Sequence, residues 1–135
     1  MISEREKSEL LRQAGETREN AHAPYTGYRV GASVLTTSGN YFSGCNVENA
    51  ALTITSHAEM NAVVAAVAAG EKEIRALLVL TETEPPAFPC AICRQALAEF
   101  DRGEMLILAA NTGGKIRETR LADLYPEMFG PHKLP

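Results

Sequence analysis

Apolar and polar positions alternate along this chain with two distinct periods, and the breaks between them are sharp. Leu10, Leu11, Ala14 and Ala21 recur at helical spacing behind Ser3 and Glu6, which fit a capping box. A first helix is therefore predicted from about Ser3 to His22, ended by Pro24 and Gly27. Tyr28 to Thr37 is rich in Val, Leu and Thr and predicts a strand. The turn Ser38-Gly39-Asn40 joins it to a second strand, Tyr41 to Val47, as an antiparallel hairpin. A less regular polar stretch follows to Ser56. From His57 to Ala69 the chain is apolar on almost every side, with Gly70 as the stop. Such a helix is normally buried, often against a subunit partner.

Ile74 to Thr83 and Met105 to Ala110 are short apolar runs of the kind that form strands covered on both faces. Between them lie the breakers Glu84 to Pro89 and a helix from Cys90 to about Phe100. A turn at Asn111 to Gly114, a short strand from Lys115 to Glu118 and a helical turn from Leu121 to Tyr125 complete the order α-β-β-α-β-α-β-β. Strands separated by helices predict an α/β sheet, partly parallel, with helices on both faces.

Composition narrows the class. The 135 residues suit one domain, 1–135, large enough to build a core without disulfides. Three cysteines, Cys45, Cys90 and Cys93, are too few and too odd for a secreted disulfide framework, which points to a reducing, cytoplasmic setting. The formal charge of −4 and the lack of a basic cluster argue against nucleic acid as a partner. The opening MISEREKSEL is too polar for a signal peptide. The longest apolar run, the eight residues from Ala62 to Ala69, is far below the roughly 20 needed to span a membrane.

Two fragments carry chemistry: His57-Ala58-Glu59 and Pro89-Cys90-Ala91-Ile92-Cys93. Each falls at the predicted start of a helix. Residues three apart share a helix face, so Cys90 and Cys93 can reach one ion, and a helix N-terminus favours the thiolate. His57 adds a nitrogen, making a good zinc set. Three ligands with one open position describe a catalytic zinc, whereas structural zinc is closed by four. Glu59, two residues from His57, is placed to carry a proton beside the metal. Each fragment alone has plainer readings. Ser56 and Glu59 also fit a capping box. A CxxC can be a thiol redox pair or a structural metal knuckle. Together, H-x-E followed 33 positions later by P-C-x-x-C is the ordered signature of zinc-dependent deaminases.

The chain resembles the small, homotetrameric type of cytidine deaminase over nearly its whole length. The resemblance rests on Ala23 to Ala32 (APYTGYRVGA), Gly44 to Ala51 (GCNVENAA), the H-A-E, Pro89 to Gln95 (PCAICRQ) and Leu124 to Phe129 (LYPEMF). It implies a three-layer α/β/α sandwich on a mixed five-stranded sheet. It implies zinc on His57, Cys90 and Cys93, and attack of zinc-activated water on C4 of the pyrimidine. Glu59 would move protons from that water to ring N3 and to the departing amine. Asn46 and Glu48 match the ribose-binding pair, and Tyr28 an aromatic beside the base. The Ala58 backbone would bind the base carbonyl and the Phe88 carbonyl the amine. Phe129 matches an aromatic that reaches a neighbouring subunit's site, so a homotetramer with sites at subunit boundaries is implied. Outside this context Asn46 reads as a turn residue, Glu48 as a solvated charge, and Tyr28 and Phe129 as core aromatics; Cys45 reads as small filler.

Departures from the family pattern are also legible. Small members usually have cysteine at His57 and arginine at Met60. Zinc with three thiolates carries −1 and an arginine offsets it; with two thiolates and imidazole it is neutral, so none is needed. Tyrosine, glycine and a small hydroxyl residue are common where Leu52, Ala91 and Phe88 stand. The amine end of the pocket is therefore expected to be reshaped. Cytidine or 2′-deoxycytidine is the expected substrate. An N4-substituted cytidine, blasticidin S or another amine-bearing heterocycle is the enzymatic alternative. A zinc-binding interaction module, with a fourth protein ligand and no role for Glu59, is the non-enzymatic one.

Overall fold

The computed structural model describes residues 1–135. Ser3 caps α1 (Glu4–Arg18) as a capping box: its Oγ accepts the Glu6 N–H at 3.0 Å, and its own N–H donates to Glu6 Oε1 at 2.9 Å. The helix ends four residues before His22. There the chain pairs elsewhere instead: His22 bridges Val47, and its carbonyl accepts the Glu48 N–H at 2.8 Å.

Five strands follow in the predicted order: β1 (Gly31–Thr36), β2 (Tyr41–Cys45), β3 (Ile74–Thr81), β4 (Leu106–Asn111) and β5 (Ile116–Arg120). In space they run β2-β1-β3-β4-β5. Only β3 and β4 are parallel; the other three pairings are antiparallel. The sheet is therefore mixed, as expected. β1 begins three residues later than predicted. The Tyr28–Val30 backbone is held by the Asn46 side chain rather than by the ladder.

α2 (Ala58–Ala68), α3 (Ala91–Ala98) and the short α4 (Leu121–Leu124) complete the helices. Leu77, Val79, Ile107 and Ala109 point to the face that α2, α3 and α4 cover, packing with Ala62, Ala66, Leu97 and Leu121. Ala76, Leu78, Leu80, Leu108 and Ala110 point to the opposite face, against Leu10 and Ala14 of α1. Both faces of β3 and β4 are thus buried, which is why their sequences read as unbroken apolar runs. Three layers result.

Two glycines allow these layers to close. A Cβ on Gly31 would lie 2.0 Å from the Ala14 carbonyl oxygen, and one on Gly44 would lie 2.5 Å from the Ala62 nitrogen. Gly31 thus lets α1 sit on the sheet, and Gly44 lets α2 do so. The apolar helix α2 is not buried all round. Ala62, Val63 and Ala66 are buried, but Val64 and Val67 stay exposed beside Met60, Ala96 and Phe100. Cys45 is half-buried at the end of β2 rather than fully enclosed. No helix is long and apolar enough to cross a membrane.

Candidate active site

The two chemical fragments meet because their helices start side by side. His57 is the N-cap of α2 and Cys90 the N-cap of α3. Neither side chain makes the usual cap hydrogen bond, so both are free to point at the gap between the helix ends. Cys93, in the first turn of α3, joins them. His57 Nδ1 lies 3.3 Å from Cys93 Sγ and 3.4 Å from Cys90 Sγ. All three donor atoms fall within 4.8 Å of one another. Tetrahedral zinc with ordinary Zn–N and Zn–S bonds needs N···S edges of about 3.6 Å. The donor set therefore fits zinc with side-chain shifts of only a few tenths of an ångström on the N···S edges.

Charge supports the same fit. Burial, with Glu59 and Cys90 close by, pushes the Cys93 thiol well above its ordinary value. The Met60 N–H opposes this. A cation at the centre is what such a site needs to hold a thiolate.

Glu59 is 7% exposed, and burial raises its carboxyl above the usual carboxylate range. Its own N–H, His57 and the Cys93 thiol pull the other way. The alternative capping box is not formed: the Ser56 N–H goes to the Val47 carbonyl at 2.9 Å, and its Oγ accepts from Asn61 Nδ2 at 3.1 Å. Glu59 therefore faces the cavity as a buried acid.

That cavity is about 370 Å³, within the roughly 300–1,000 Å³ of small-molecule sites. His57, Ala58, Glu59, Asn46, Glu48, Tyr28, Phe88 and Cys90 all line it. Asn46 is no ordinary turn residue. Its Oδ1 accepts the Val30 N–H at 2.9 Å, and its Nδ2 donates to the Tyr28 carbonyl at 2.7 Å. Glu48 is buried, not solvated. It accepts from the Tyr25 N–H at 2.9 Å, the Thr26 N–H at 3.2 Å and the Thr26 hydroxyl. The Thr26 hydroxyl, first among these donors, holds the Glu48 carboxyl below its usual range. Tyr28 is partly exposed, with its hydroxyl on Thr83 Oγ1. Ala58, the first helical residue of α2, has no intrahelical acceptor for its N–H.

Phe129 is not brought into this cavity. Its ring is 52% exposed, while its backbone is tied to Gln95 and Tyr125. Thr26, Val30, Thr55, Val79, Thr81 and Ala87 also line the cavity and were not singled out in the sequence. Thr81 had a usable signal: ligands bind beyond the carboxyl ends of parallel strands, and Thr81 ends β3. Thr55 and Ala87 had none, since only the folded loops bring them in.

A family model described as the cytidine and deoxycytidylate deaminase zinc-binding region matches residues 4–109. Cytidine deaminase of Sporosarcina psychrophila is 40% identical over 93% of this chain and 92% of its own length. Cytidine deaminase of Mycobacterium tuberculosis is 35% identical over 93% of this chain and 91% of its own. The crystal structure of cytidine deaminase from Burkholderia pseudomallei superposes with a TM-score of 0.87 at 36% identity, covering 95% of this chain and all of that one. With its His57-Cys90-Cys93 cluster inside the matched region and its fold shared along nearly the whole length, the chain belongs to the zinc-binding cytidine and deoxycytidylate deaminase family.

Proposed function

We propose that this protein hydrolyses cytidine and 2′-deoxycytidine to uridine and 2′-deoxyuridine with release of ammonia, as a step of pyrimidine salvage. The observation that carries this reading is the convergence of His57, Cys90 and Glu59 in one cavity with Asn46 and Glu48, with the buried Cys93 completing the donor cluster behind it. Bound by His57, Cys90 and Cys93, zinc supplies a Lewis acid that makes water ionisable near neutral pH. Glu59 takes a proton from the attacking water and delivers it to ring N3, then takes the proton of the new C4 hydroxyl and gives it to the amine as the C4–N4 bond breaks and the carbonyl forms. Its buried, raised carboxyl suits both directions of transfer. The Ala58 N–H faces the base carbonyl, the Phe88 carbonyl receives the amine, and Tyr28 lies beside the base.

Counting lone pairs supports the sugar roles. A carboxylate has about four acceptor sites, and an amide offers two donors and two acceptors. Glu48 spends three on Tyr25 and Thr26. Asn46 spends one donor and one acceptor on the backbone. What is left on the pair both gives and accepts, as sugar hydroxyls require. No Lys or Arg lines the cavity, while Glu48 and Glu59 do. A 5′-phosphate would meet no counter-charge, so the substrate is a nucleoside rather than a nucleotide.

The single domain, 1–135, is proposed to act as a homotetramer with sites at subunit boundaries. The exposed Phe129 ring and the exposed α2 face of Val64 and Val67 support this. Three unpaired cysteines suit the cytoplasm.

An absorbance and ammonia assay on cytidine, 2′-deoxycytidine and N4-modified cytidines tests the reading, with zinc-loaded and chelator-treated protein. Deamination that chelation abolishes and zinc restores is expected. Zinc-loaded protein that releases no ammonia from either nucleoside overturns it.

A further inference from the structure

The loop from β3 to α3 carries Ala87, Phe88 and Cys90 into the cavity. It has no secondary structure of its own between Thr83 and Cys90. Asn111 Nδ2 at the end of β4 holds its start, donating to the Thr83 carbonyl at 3.2 Å, and Arg94 Nε of α3 holds its end, donating to the Pro89 carbonyl at 2.7 Å; its middle is held from the edge strand β5. In β5, Arg117 stands opposite Ala109 of β4. Directly opposed residues share a face, and Ala109 belongs to the face covered by α2 and α3. A small residue at Ala109 leaves Arg117 room to reach across. Its Nη1 donates to the Pro86 carbonyl at 3.1 Å, and its guanidinium carbon lies 4.6 Å from the centroid of the Phe88 ring. Two residues earlier on the same side, Lys115 Nζ pairs with Glu84 Oε1 at 3.0 Å. The hairpin β4–β5 thus straps Glu84, Pro86 and Phe88 with two cations spaced as the loop is spaced.

We propose that Arg117 is a positioning residue for the amine end of the pocket and sets how strictly that end rejects groups on N4. The inference rests on the reading of Phe88 as the residue that faces the amine. Arg117 touches no substrate atom. It acts by fixing Phe88 from two directions: the ring by cation–π contact and the backbone through Pro86. A planar fork is needed for both at once, which a lysine supplies only in part.

The test compares Arg117→Ala and Arg117→Lys with the native protein in zinc-loaded form. Arg117→Ala is expected to raise KM for cytidine about five- to twenty-fold, the worth of one such contact and one hydrogen bond. Its kcat should fall less than its KM rises, and zinc content should not change. The preference for cytidine over N4-methylcytidine should narrow. Arg117→Lys should recover part of both effects. A role in stability alone would lower the melting temperature and leave KM and the substrate preference untouched.

A second readout needs no turnover. With 4-fluorophenylalanine at the four phenylalanines, the Phe88 fluorine signal is assigned by Phe88→Leu and should shift in Arg117→Ala. Native KM and native substrate preference in Arg117→Ala, or an unmoved Phe88 signal, overturns the proposal. Should Arg117→Ala fail to fold, a native KM in Arg117→Lys does the same. If the native protein releases no ammonia from cytidine, the functional reading has failed instead, and the fluorine shift alone decides the Arg117 contact.

Discussion

Asn46→Ala is the substitution whose cost can be worked most directly from the structure. The side chain clasps the extended segment before β1: it accepts from Val30 and donates to Tyr28, at 2.9 and 2.7 Å. Removing it leaves one backbone N–H and one C=O without partners in a half-buried place. Each such loss costs about 1–3 kcal/mol, and partial access to water puts these at the lower end. The sum is about 2–3 kcal/mol, a large part of the roughly 5–15 kcal/mol that holds a domain folded. For a chain of this length that lowers Tm by about 6–15 °C. Function should fall separately. The loss of one sugar contact is worth about 1.4 kcal/mol, so KM for cytidine should rise about tenfold at a temperature where the variant is fully folded. Differential scanning calorimetry and initial-rate kinetics on one preparation check both. A Tm within about 2 °C of the native value would show that the clasp does not contribute, against the argument from unpaired backbone groups. A lowered Tm with native KM would remove Asn46 from the sugar site while keeping its structural role.

Other expectations follow from the same geometry. Glu59→Gln keeps the shape of the side chain and should retain zinc by metal analysis while losing about 10²–10⁴-fold in kcat; near-native turnover would contradict its proton-carrying role. Met60→Arg sets a cation beside a zinc site that is already neutral with one imidazole and two thiolates, and should lower kcat/KM; unchanged kinetics would sink the charge argument. Glu48 is held below its ordinary value of 4.5, so its contribution to stability is full above that pH and is lost as pH falls through the depressed value. Melting curves of Glu48→Gln should accordingly fall less steeply than native ones on acidification below pH 4.5, and parallel acid limbs would contradict the assignment.

Much of the fold was legible because it depends on local patterns. The apolar runs of β3 and β4, the Ser3–Glu6 box and the turn at Ser38 to Asn40 all act over a few residues, and the structure bears them out. The end of α1 was not legible. Helical spacing continues to Ala21, but His22 gains a bridge to Val47 that no local pattern announces. The late start of β1 has the same origin: Asn46, sixteen residues away, takes the backbone groups a ladder would use. Arg117 on Phe88 is likewise a long-range contact from a strand that reads as an ordinary polar edge.

The site divides along the same line, and its helix starts explain why. A Ser, Thr, Asp or Asn at an N-cap is worth about 1 kcal/mol over a residue that cannot bond back. α1 uses one; α2 and α3 do not, having His57 and Cys90 there without cap bonds. Two adjacent helices in one small fold that forgo this stabilisation at the same place depart from a local rule, and such departures concentrate where function outweighs stability. The unused side chains of those two caps, with Cys93, are the donor set itself. A sequence could reveal the motif but not that the Ser56 N–H, the group a capping Glu59 carboxylate would accept, is already given to the Val47 carbonyl at 2.9 Å. That one contact withdraws the capping partner from Glu59 and leaves its buried carboxyl facing the cavity. The distinction between a structural cap and a proton carrier at Glu59 is therefore made by Val47, a residue with no part in the chemistry.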